Sequence, residues 1–194
     1  MSATNDSPLL SRAVRIQAAG LLVALITAGA FISVPVPVSP VPIVLQNMFV
    51  VLAGLVLSPR WAALSVGVYL LLGAVGLPVF AGATGGLARF LGPTGGFLVA
   101  YPLSAFLASA IARGNLPNAT PPDQPVWRVC TAVFVGFSIV YLSGVPWLAV
   151  STGMSVQQAI IVGMVPFLFG DLLKAGLLIV LVYRLPGVVW RAFR

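Results

Sequence analysis

Six long apolar segments alternate with proline-rich, glycine-rich or polar breaks along the chain. They cover residues 16–34, 43–57, 61–77, 97–112, 126–141 and 166–184. The final segment has 19 residues. As an α-helix it is about 28 Å long at about 1.5 Å per residue, close to the bilayer hydrocarbon thickness of about 30 Å. The pattern therefore predicts an all-α integral membrane protein with six transmembrane helices.

The breaks in the first half of the chain predict two ordered loops and one linker. Residues 35–42 contain four prolines, which exclude a helix and favour extended backbone. Residues 79–96 contain six glycines and predict an ordered loop. Residues 113–125 are polar and predict a linker between the fourth and fifth helices. We therefore expect one six-helix domain over residues 16–185, between a disordered tail (1–15) and a basic tail (186–194).

The breaks in the second half predict where the last helices begin and end. Residues 143–147 contain a glycine and a proline, and we expect them to interrupt the fifth helix. Ser155 and Gln158 have the spacing of a capping box, which predicts a short helix at the membrane surface. Pro166 fits the first residue of the last helix, where its missing N–H costs nothing.

The composition supports the membrane interpretation and excludes several other classes. Hydrophobic residues make up 60% of the chain and charged residues 7%, whereas soluble domains carry about 25% charged residues. A soluble domain and a disordered chain are both excluded by these values. Histidine and glutamate are absent, so histidine-based metal sites and catalytic triads are excluded, and we expect no metal and no cofactor.

The positive charges are distributed as expected for a multi-pass protein of the plasma (inner) membrane. With six spans and a cytoplasmic N-terminus, eight of the nine arginines lie on the cytoplasmic side and Arg89 alone lies outside. This asymmetry follows the positive-inside rule. It predicts that both termini are cytoplasmic and accounts for most of the net charge of +7. Nucleic-acid binding is therefore not expected.

Asp171 and Lys174 are the strongest candidates for chemistry. They are three residues apart in the last apolar segment, so they share one helix face within the membrane. Ionisable groups there cost at least about 2.5–3.5 kcal/mol on insertion scales and normally serve a function. The pair can bind a cyclic urea or amide through one acceptor and one donor. The alternative interpretation is a self-neutralising ion pair that holds helices together.

Other polar residues lie where they can reach a ligand from the outer side. Arg89 is suited to bind a substrate carboxylate, since a guanidinium makes bidentate hydrogen bonds, or it is a solvated loop residue. Gln46 and Asn47 begin the second helix and can bind polar ligand edges, or they satisfy loop backbone groups. Four aromatic residues belong either to an interfacial belt or to the pocket wall: Phe80, Tyr101, Tyr141 and Trp147.

A stripe of small residues runs along the first helix at intervals of four: Gly20, Ala24 and Ala28. Small residues allow another helix to approach closely. The partner of this stripe is either another helix of the same chain or a separate membrane protein.

Five segments, in order, resemble motifs of the BioY family, the biotin-binding S components of energy-coupling factor (ECF) transporters. The likeness extends over about residues 16–185. The segments are Pro40-Val-Pro-Ile-Val-Leu-Gln46, Leu77-Pro-Val-Phe-Ala-Gly82, Gly92-Pro-Thr-Gly-Gly96, Tyr141-Leu-Ser-Gly-Val-Pro-Trp147 and Pro166-Phe-Leu-Phe-Gly-Asp-Leu-Leu-Lys-Ala175. One departure is Phe169, where the family motif often has proline.

The resemblance implies a six-helix protein that captures biotin and mediates its uptake. Energy would come from a separate module with a transmembrane coupling protein and two ATPase subunits. By the same resemblance, Gln46, Asp171 and Lys174 match positions that hold the ureido ring of biotin, and Arg89 matches the cation near its carboxylate. The stripe on the first helix matches the docking face for the coupling protein.

Three alternatives remain at this point. The chain can be an S component for another vitamin, such as thiamine or riboflavin. It can be an intramembrane enzyme that uses Asp171 and Lys174 as acid and base. It can also be a structural or assembly subunit in which the membrane charges only join helices.

Overall fold

A computed structural model describes residues 8–114 and 123–184 of the chain. Within these residues there are eight helices and one two-stranded hairpin. The helices are α1 (Pro8–Phe31), α2 (Gln46–Val56), α3 (Pro59–Ala74), α4 (Ala88–Leu91), α5 (Gly95–Arg113), α6 (Val126–Thr152), α7 (Val156–Gly163) and α8 (Val165–Arg184). The hairpin pairs β1 (Ser33–Val34) with β2 (Ile43–Val44) antiparallel.

The prediction of an all-α membrane protein is confirmed, but the predicted number of six spans is not. Four helices of the described chain are long and apolar enough to cross a membrane: Arg12–Phe31, Gly95–Arg113, Val126–Thr152 and Val165–Arg184. The second predicted span, α2, is apolar but has 11 residues. The third, α3, has 16 residues. The sequence pattern overestimated these two helices because apolar residues continue into the adjoining turns.

Helix α2 lies at the centre of the bundle, where it contacts α1, α3, α5, α6 and α8. Nine of its residues are buried, which is why this segment is apolar on all sides. A Cβ atom at Gly54 would overlap the Ala105 carbonyl oxygen of α5, so glycine allows the close approach of these two helices. The α2 N-terminus, with Gln46 and Asn47, is thereby held at one end of the bundle.

The opposite end of α2 is capped by side chains of α5. The Leu57 carbonyl oxygen accepts hydrogen bonds from Ser109 Oγ at 2.6 Å and from Arg113 Nε at 3.3 Å. Arg113 Nη2 also donates to the Val56 carbonyl oxygen at 2.8 Å. Carbonyl groups at a helix C-terminus lack intrahelical partners, and these donors supply them where the helix ends inside the protein.

The predicted break in the fifth helix is wrong, because α6 continues through residues 143–147 to Thr152. Pro146 removes one backbone hydrogen bond, and packing against α5 compensates for this loss. A Cβ at Gly144 would overlap the Phe97 ring, and Ser143 Oγ donates to the Gly96 carbonyl oxygen at 2.9 Å. Tertiary contacts therefore hold the helix together across the proline.

The connections near α7 and α4 agree with the sequence pattern in most respects. The capping box is confirmed, since Gln158 N donates to Ser155 Oγ at 3.3 Å and Ser155 N to Gln158 Oε1 at 3.0 Å. Pro166 is the second residue of α8, one position later than expected. The glycine-rich segment is ordered and contains the short helix α4.

At the termini, α1 begins at Pro8 rather than at residue 16, so part of the expected N-terminal tail is helical. Residues 1–7, most of the predicted linker (115–122) and the C-terminal residues 185–194 lie outside the described residues. Phe169, the position where the family motif often has proline, lies on the outward face of α8, with 74% of its surface accessible.

Candidate functional site

A cavity of about 180 Å³ lies at the end of the bundle where α2, α5 and α8 begin. The β-hairpin with its proline-rich tip and the glycine-rich segment with α4 cover this end. Seven of the predicted site residues line the cavity: Gln46, Asn47, Phe80, Arg89, Tyr101, Tyr141 and Lys174. These residues come from five helices, α2, α4, α5, α6 and α8, and from the loop that contains Phe80. Asp171 is not among the residues that line the cavity.

Four side chains form a hydrogen-bonded polar cluster beside this cavity: Asn47, Tyr141, Asp171 and Lys174. Lys174 Nζ donates to Asp171 Oδ1 at 2.8 Å and to Asn47 Oδ1 at 3.0 Å. Asn47 Nδ2 donates to Asp171 Oδ1 at 3.0 Å. The Tyr141 hydroxyl donates to Asp171 Oδ2. Helices α2, α6 and α8 thus contribute to one network.

The two charges of the polar cluster are almost fully buried. Asp171 is 6% exposed and Lys174 is 7% exposed. Both lie on the inward face of α8, together with Phe167 one turn earlier and Leu178 one turn later. Burying a lone charge is costly, and the direct ion pair offsets that cost. An ammonium group has three donors, so Lys174 keeps one N–H for a ligand after its two hydrogen bonds.

Gln46 lies in the cavity wall with an unused donor. Its side chain is 1% exposed, and its amide nitrogen Nε2 is buried without a hydrogen-bond partner among the described residues. Tyr69 lies beside it, and the Tyr69 hydroxyl donates to the Val79 carbonyl oxygen at 3.1 Å. Buried polar groups in native proteins nearly always have partners. A buried donor without an acceptor, such as Gln46 Nε2, is therefore suited to donate a hydrogen bond to a ligand.

Arg89 lies on α4 and reaches the cavity from the glycine-rich segment. Its side chain is half-buried, and it forms no salt bridge with any acidic residue in the described ranges. The cavity therefore has a cation on α4 in addition to Lys174 on α8. Two separate donor groups suit a ligand with a polar ring and an anionic group apart from it.

The aromatic candidates separate into two groups in the structure. Phe80, Tyr101 and Tyr141 line the cavity, and Phe80 stacks edge-on with Tyr69 and Phe90 at centroid distances of 5.5 and 5.6 Å. Trp147 is not in the cavity wall: its Nε1 donates to the Gly92 carbonyl oxygen at 2.9 Å. It fixes the turn between α4 and α5 instead.

Sequence reasoning missed several residues of the cavity wall. Phe97 and Phe167 both line it, and each was hidden within an apolar helix. The position of Phe167, four residues before Asp171 on the same helix face, is the signal that identifies it. Thr94 also lines the cavity, and it belongs to the Gly92–Gly96 motif. Residues 40–42 contribute from the hairpin.

The small-residue stripe faces outward in this chain. Gly20, Ala24 and Ala28 are exposed, whereas Ala18, Leu22 and Ile26 on the other side of α1 are buried. A Cβ at Gly20 would meet no atom within 4 Å. The stripe therefore leaves an open surface on α1.

Comparison with known proteins identifies the family. The BioY family model matches residues 3–192. The chain is 41% identical to "probable biotin transporter BioY" of Pyrococcus horikoshii over 176 residues. This alignment covers 91% of this chain and 98% of that protein. It is 40% identical over 156 residues to the biotin transporter BioY of Thermotoga maritima, with 80% and 86% covered.

The fold has a counterpart among solved structures. The crystal structure of the S-component for biotin from an ECF-type ABC transporter superposes with a TM-score of 0.82 at 30% identity, and the match covers 95% of this chain and 94% of that chain. The relatives named here are transporters and not enzymes. The motifs, the family match and the superposition agree, and the chain belongs to the BioY family.

Proposed function

We propose that this chain is a membrane-embedded biotin-binding component that mediates biotin uptake. The observation that carries the proposal is the cavity with Lys174 in its wall, ion-paired to the buried Asp171, together with a donor without a partner at Gln46 and a second cation at Arg89. The names of the relatives and of the superposed crystal structure supply the identity of the ligand.

The ureido ring of biotin matches the polar cluster in chemistry. The ring has one carbonyl oxygen and two N–H groups. The free N–H of Lys174 and the Gln46 Nε2 donor both lack an acceptor, and a carbonyl oxygen can accept from both. Asp171 accepts three hydrogen bonds at present, and a carboxylate has about four acceptor positions. One acceptor position therefore remains for a ureido N–H, which in this proposal reaches Asp171 beside Lys174, since Asp171 does not itself line the cavity.

We propose that the carboxylate of biotin binds near Arg89. A guanidinium binds a carboxylate through two parallel hydrogen bonds, and Arg89 is the cavity-lining cation that has no acidic partner in the described parts of the chain. The aromatic wall, which includes Phe80, Phe97 and Tyr101, suits the apolar ring and side chain of the vitamin. Catalysis by Asp171 and Lys174 is not required by this arrangement.

We place the chain in the plasma membrane as six spans, with α1, α2, α3, α5, α6 and α8 crossing in turn and with α4 and α7 at the outer surface. The shorter helix α2 contacts five other helices, and α3 packs against the long helices α1 and α5, which supports their inclusion. Alternation of direction brings the cavity to the outer side. Arg12, Arg60, Arg113, Arg128 and Arg184 then lie toward the cytoplasm, as do both termini.

Energy for uptake comes, in this proposal, from a separate module of one transmembrane coupling protein and two ATPases. The chain has no G-x-x-x-x-G-K-[ST] motif, so it contains no phosphate-binding loop of that kind. The exposed stripe of Gly20, Ala24 and Ala28 is the proposed docking face for the coupling protein, since small residues allow close helix contact.

A binding experiment tests the proposal. Purified protein in detergent is titrated with biotin, thiamine and riboflavin, and Asp171→Asn is tested in parallel. We expect tight binding of biotin only. Either orientation of an asparagine amide at position 171 presents its NH₂ to an existing donor, so affinity should fall about 10- to 150-fold, as expected for hydrogen bonds to charged groups. Preference for another vitamin, or full biotin affinity in a folded Asp171→Asn protein, contradicts the proposal.

A further inference from the structure

Tyr141 separates two cavities of opposite character. The binding cavity lies on one side, and an apolar groove of about 560 Å³ between α6, α7 and α8 lies on the other. Tyr141 is the one described residue that lines both, and Asp171 lines only the groove. We propose that Tyr141 is a positioning residue for ligand binding, which holds the Asp171 carboxylate in the polar cluster; this inference rests on the proposed function.

The position of Asp171 explains why its carboxylate must be held. The groove that Asp171 lines is mainly apolar, and its wall includes Phe137, Leu168 and Leu172. A carboxylate turned toward them is strongly disfavoured. Oδ1 accepts from Lys174 and Asn47, but the hydrogen bond to Oδ2 comes from Tyr141. Without that hydroxyl, Oδ2 loses its donor and must compete for those of Lys174 and Asn47.

The orientation of Tyr141 is set by packing and not by a ligand. Its ring stacks edge-on with Phe97 of α5, at a centroid distance of 6.5 Å and an interplanar angle of 86°. Both α5 and α6 are long helices in extensive contact with each other. The hydroxyl is therefore presented to α8 from a rigid pair of helices, and it determines where the Asp171 carboxylate lies before any ligand arrives.

The hydrogen bond also crosses the gap between α6 and α8. The groove runs along these two helices, with Pro146 and Cys130 of α6 in its wall. A second polar link to α8, from the Tyr183 hydroxyl to the Gln124 carbonyl oxygen at 3.0 Å, lies at the far end of α8. At the level of the polar cluster, Tyr141 thus sets how α8 is placed against α6.

Infrared spectroscopy tests this inference without any ligand. The sequence contains three acidic residues, all aspartates: Asp6, Asp123 and Asp171. Protein labelled with ¹³C-aspartate therefore gives few shifted carboxylate bands, and the band lost in Asp171→Ala belongs to Asp171. We expect Tyr141→Phe to shift that band. Thr84→Val, which removes a cavity-wall hydroxyl that bonds locally to the Ala81 carbonyl oxygen, should leave it unchanged. An unshifted band in Tyr141→Phe overturns the inference.

Affinity measurements then distinguish positioning from direct ligand contact. We expect Tyr141→Phe to bind biotin about 10- to 150-fold more weakly than the wild type, the loss of one hydrogen bond to a charged group. In an Asp171→Ala background the same change should alter affinity by less than about threefold. An equal loss in both backgrounds means that Tyr141 contacts biotin itself and overturns positioning. If Asp171→Ala does not bind biotin measurably, the shift of the infrared band alone tests whether Tyr141 positions the carboxylate.

Biotin binding by the wild type is measured separately. Its failure rejects the proposed function and not the relationship between Tyr141 and Asp171.

Discussion

Asn47 and Lys174 are joined by a hydrogen bond of 3.0 Å although 127 positions separate them in the sequence. The amide has one possible orientation in this network, because its oxygen faces the ammonium group and its nitrogen donates to Asp171 Oδ1. Asn47 therefore binds both members of the ion pair. It connects the buried helix α2 to α8 at the wall of the cavity.

Replacing Asn47 with leucine tests this connection. The change removes one donor and one acceptor, and it leaves two buried charges with fewer partners. We expect biotin affinity to fall about 10- to 150-fold, measured by calorimetric titration. The control is Thr84→Val, because Thr84 lines the same cavity but bonds locally to the Ala81 carbonyl oxygen. Equal losses in both variants contradict a specific role for Asn47.

Gln46→Met should separate stability from function. In the unliganded protein the Gln46 Nε2 group is buried without a partner, and such a group costs about 1–3 kcal/mol. Methionine fills a similar volume without that cost. The midpoint of thermal unfolding without ligand should therefore rise, while biotin affinity falls about 2- to 10-fold. A variant that is less stable and binds normally shows that Gln46 has a structural role only.

Arg89 should recognise the carboxylate of the ligand and nothing else. We expect Arg89→Gln to bind biotin about 10-fold more weakly, because a charge-assisted contact is lost. The uncharged carboxamide of biotin should bind the wild type and the variant with the same affinity. Arg60→Gln, at the opposite end of the bundle, is the control and should change neither value. A loss for the carboxamide as large as that for biotin rejects the carboxylate assignment.

The exposed stripe on α1 should matter for uptake but not for binding. Leucine at both Ala24 and Ala28 blocks close approach of another helix, so biotin uptake in cells with an energising module should drop severalfold or more. Biotin affinity of the purified variant should stay within about twofold. Gly176→Leu is the matched control, since a Cβ at Gly176 of α8 also meets open space. Impaired uptake in the control as well argues against a specific docking face.

The proposed orientation can be tested by labelling single cysteines from outside the cell. The native Cys130 is first replaced by alanine. A cysteine at position 89 should then react with a membrane-impermeant maleimide, whereas cysteines at positions 60 and 184 should react only after permeabilisation. The opposite pattern places the cavity on the cytoplasmic side and is incompatible with capture of an external vitamin.

The sequence alone determined the class of protein, the family and the principal charged residues. Long apolar runs are a local requirement of the bilayer, since every residue of a span must tolerate hydrocarbon. Asp171 and Lys174 stood out for the same reason, as charges within such a run. The capping box at Ser155 is likewise local, because its two hydrogen bonds join residues three positions apart.

Only the tertiary structure decided how these parts meet. It placed Asn47 between Asp171 and Lys174, aimed Tyr141 at the same carboxylate, and turned Trp147 away from the cavity toward Gly92. It also showed that α6 continues past Pro146, since contacts with α5 compensate for the hydrogen bond that proline removes. These outcomes depend on residues tens of positions apart in the chain. A hydrophobic pattern reports which side chains leave water, but hydrogen-bond partners are set by the geometry of packed helices.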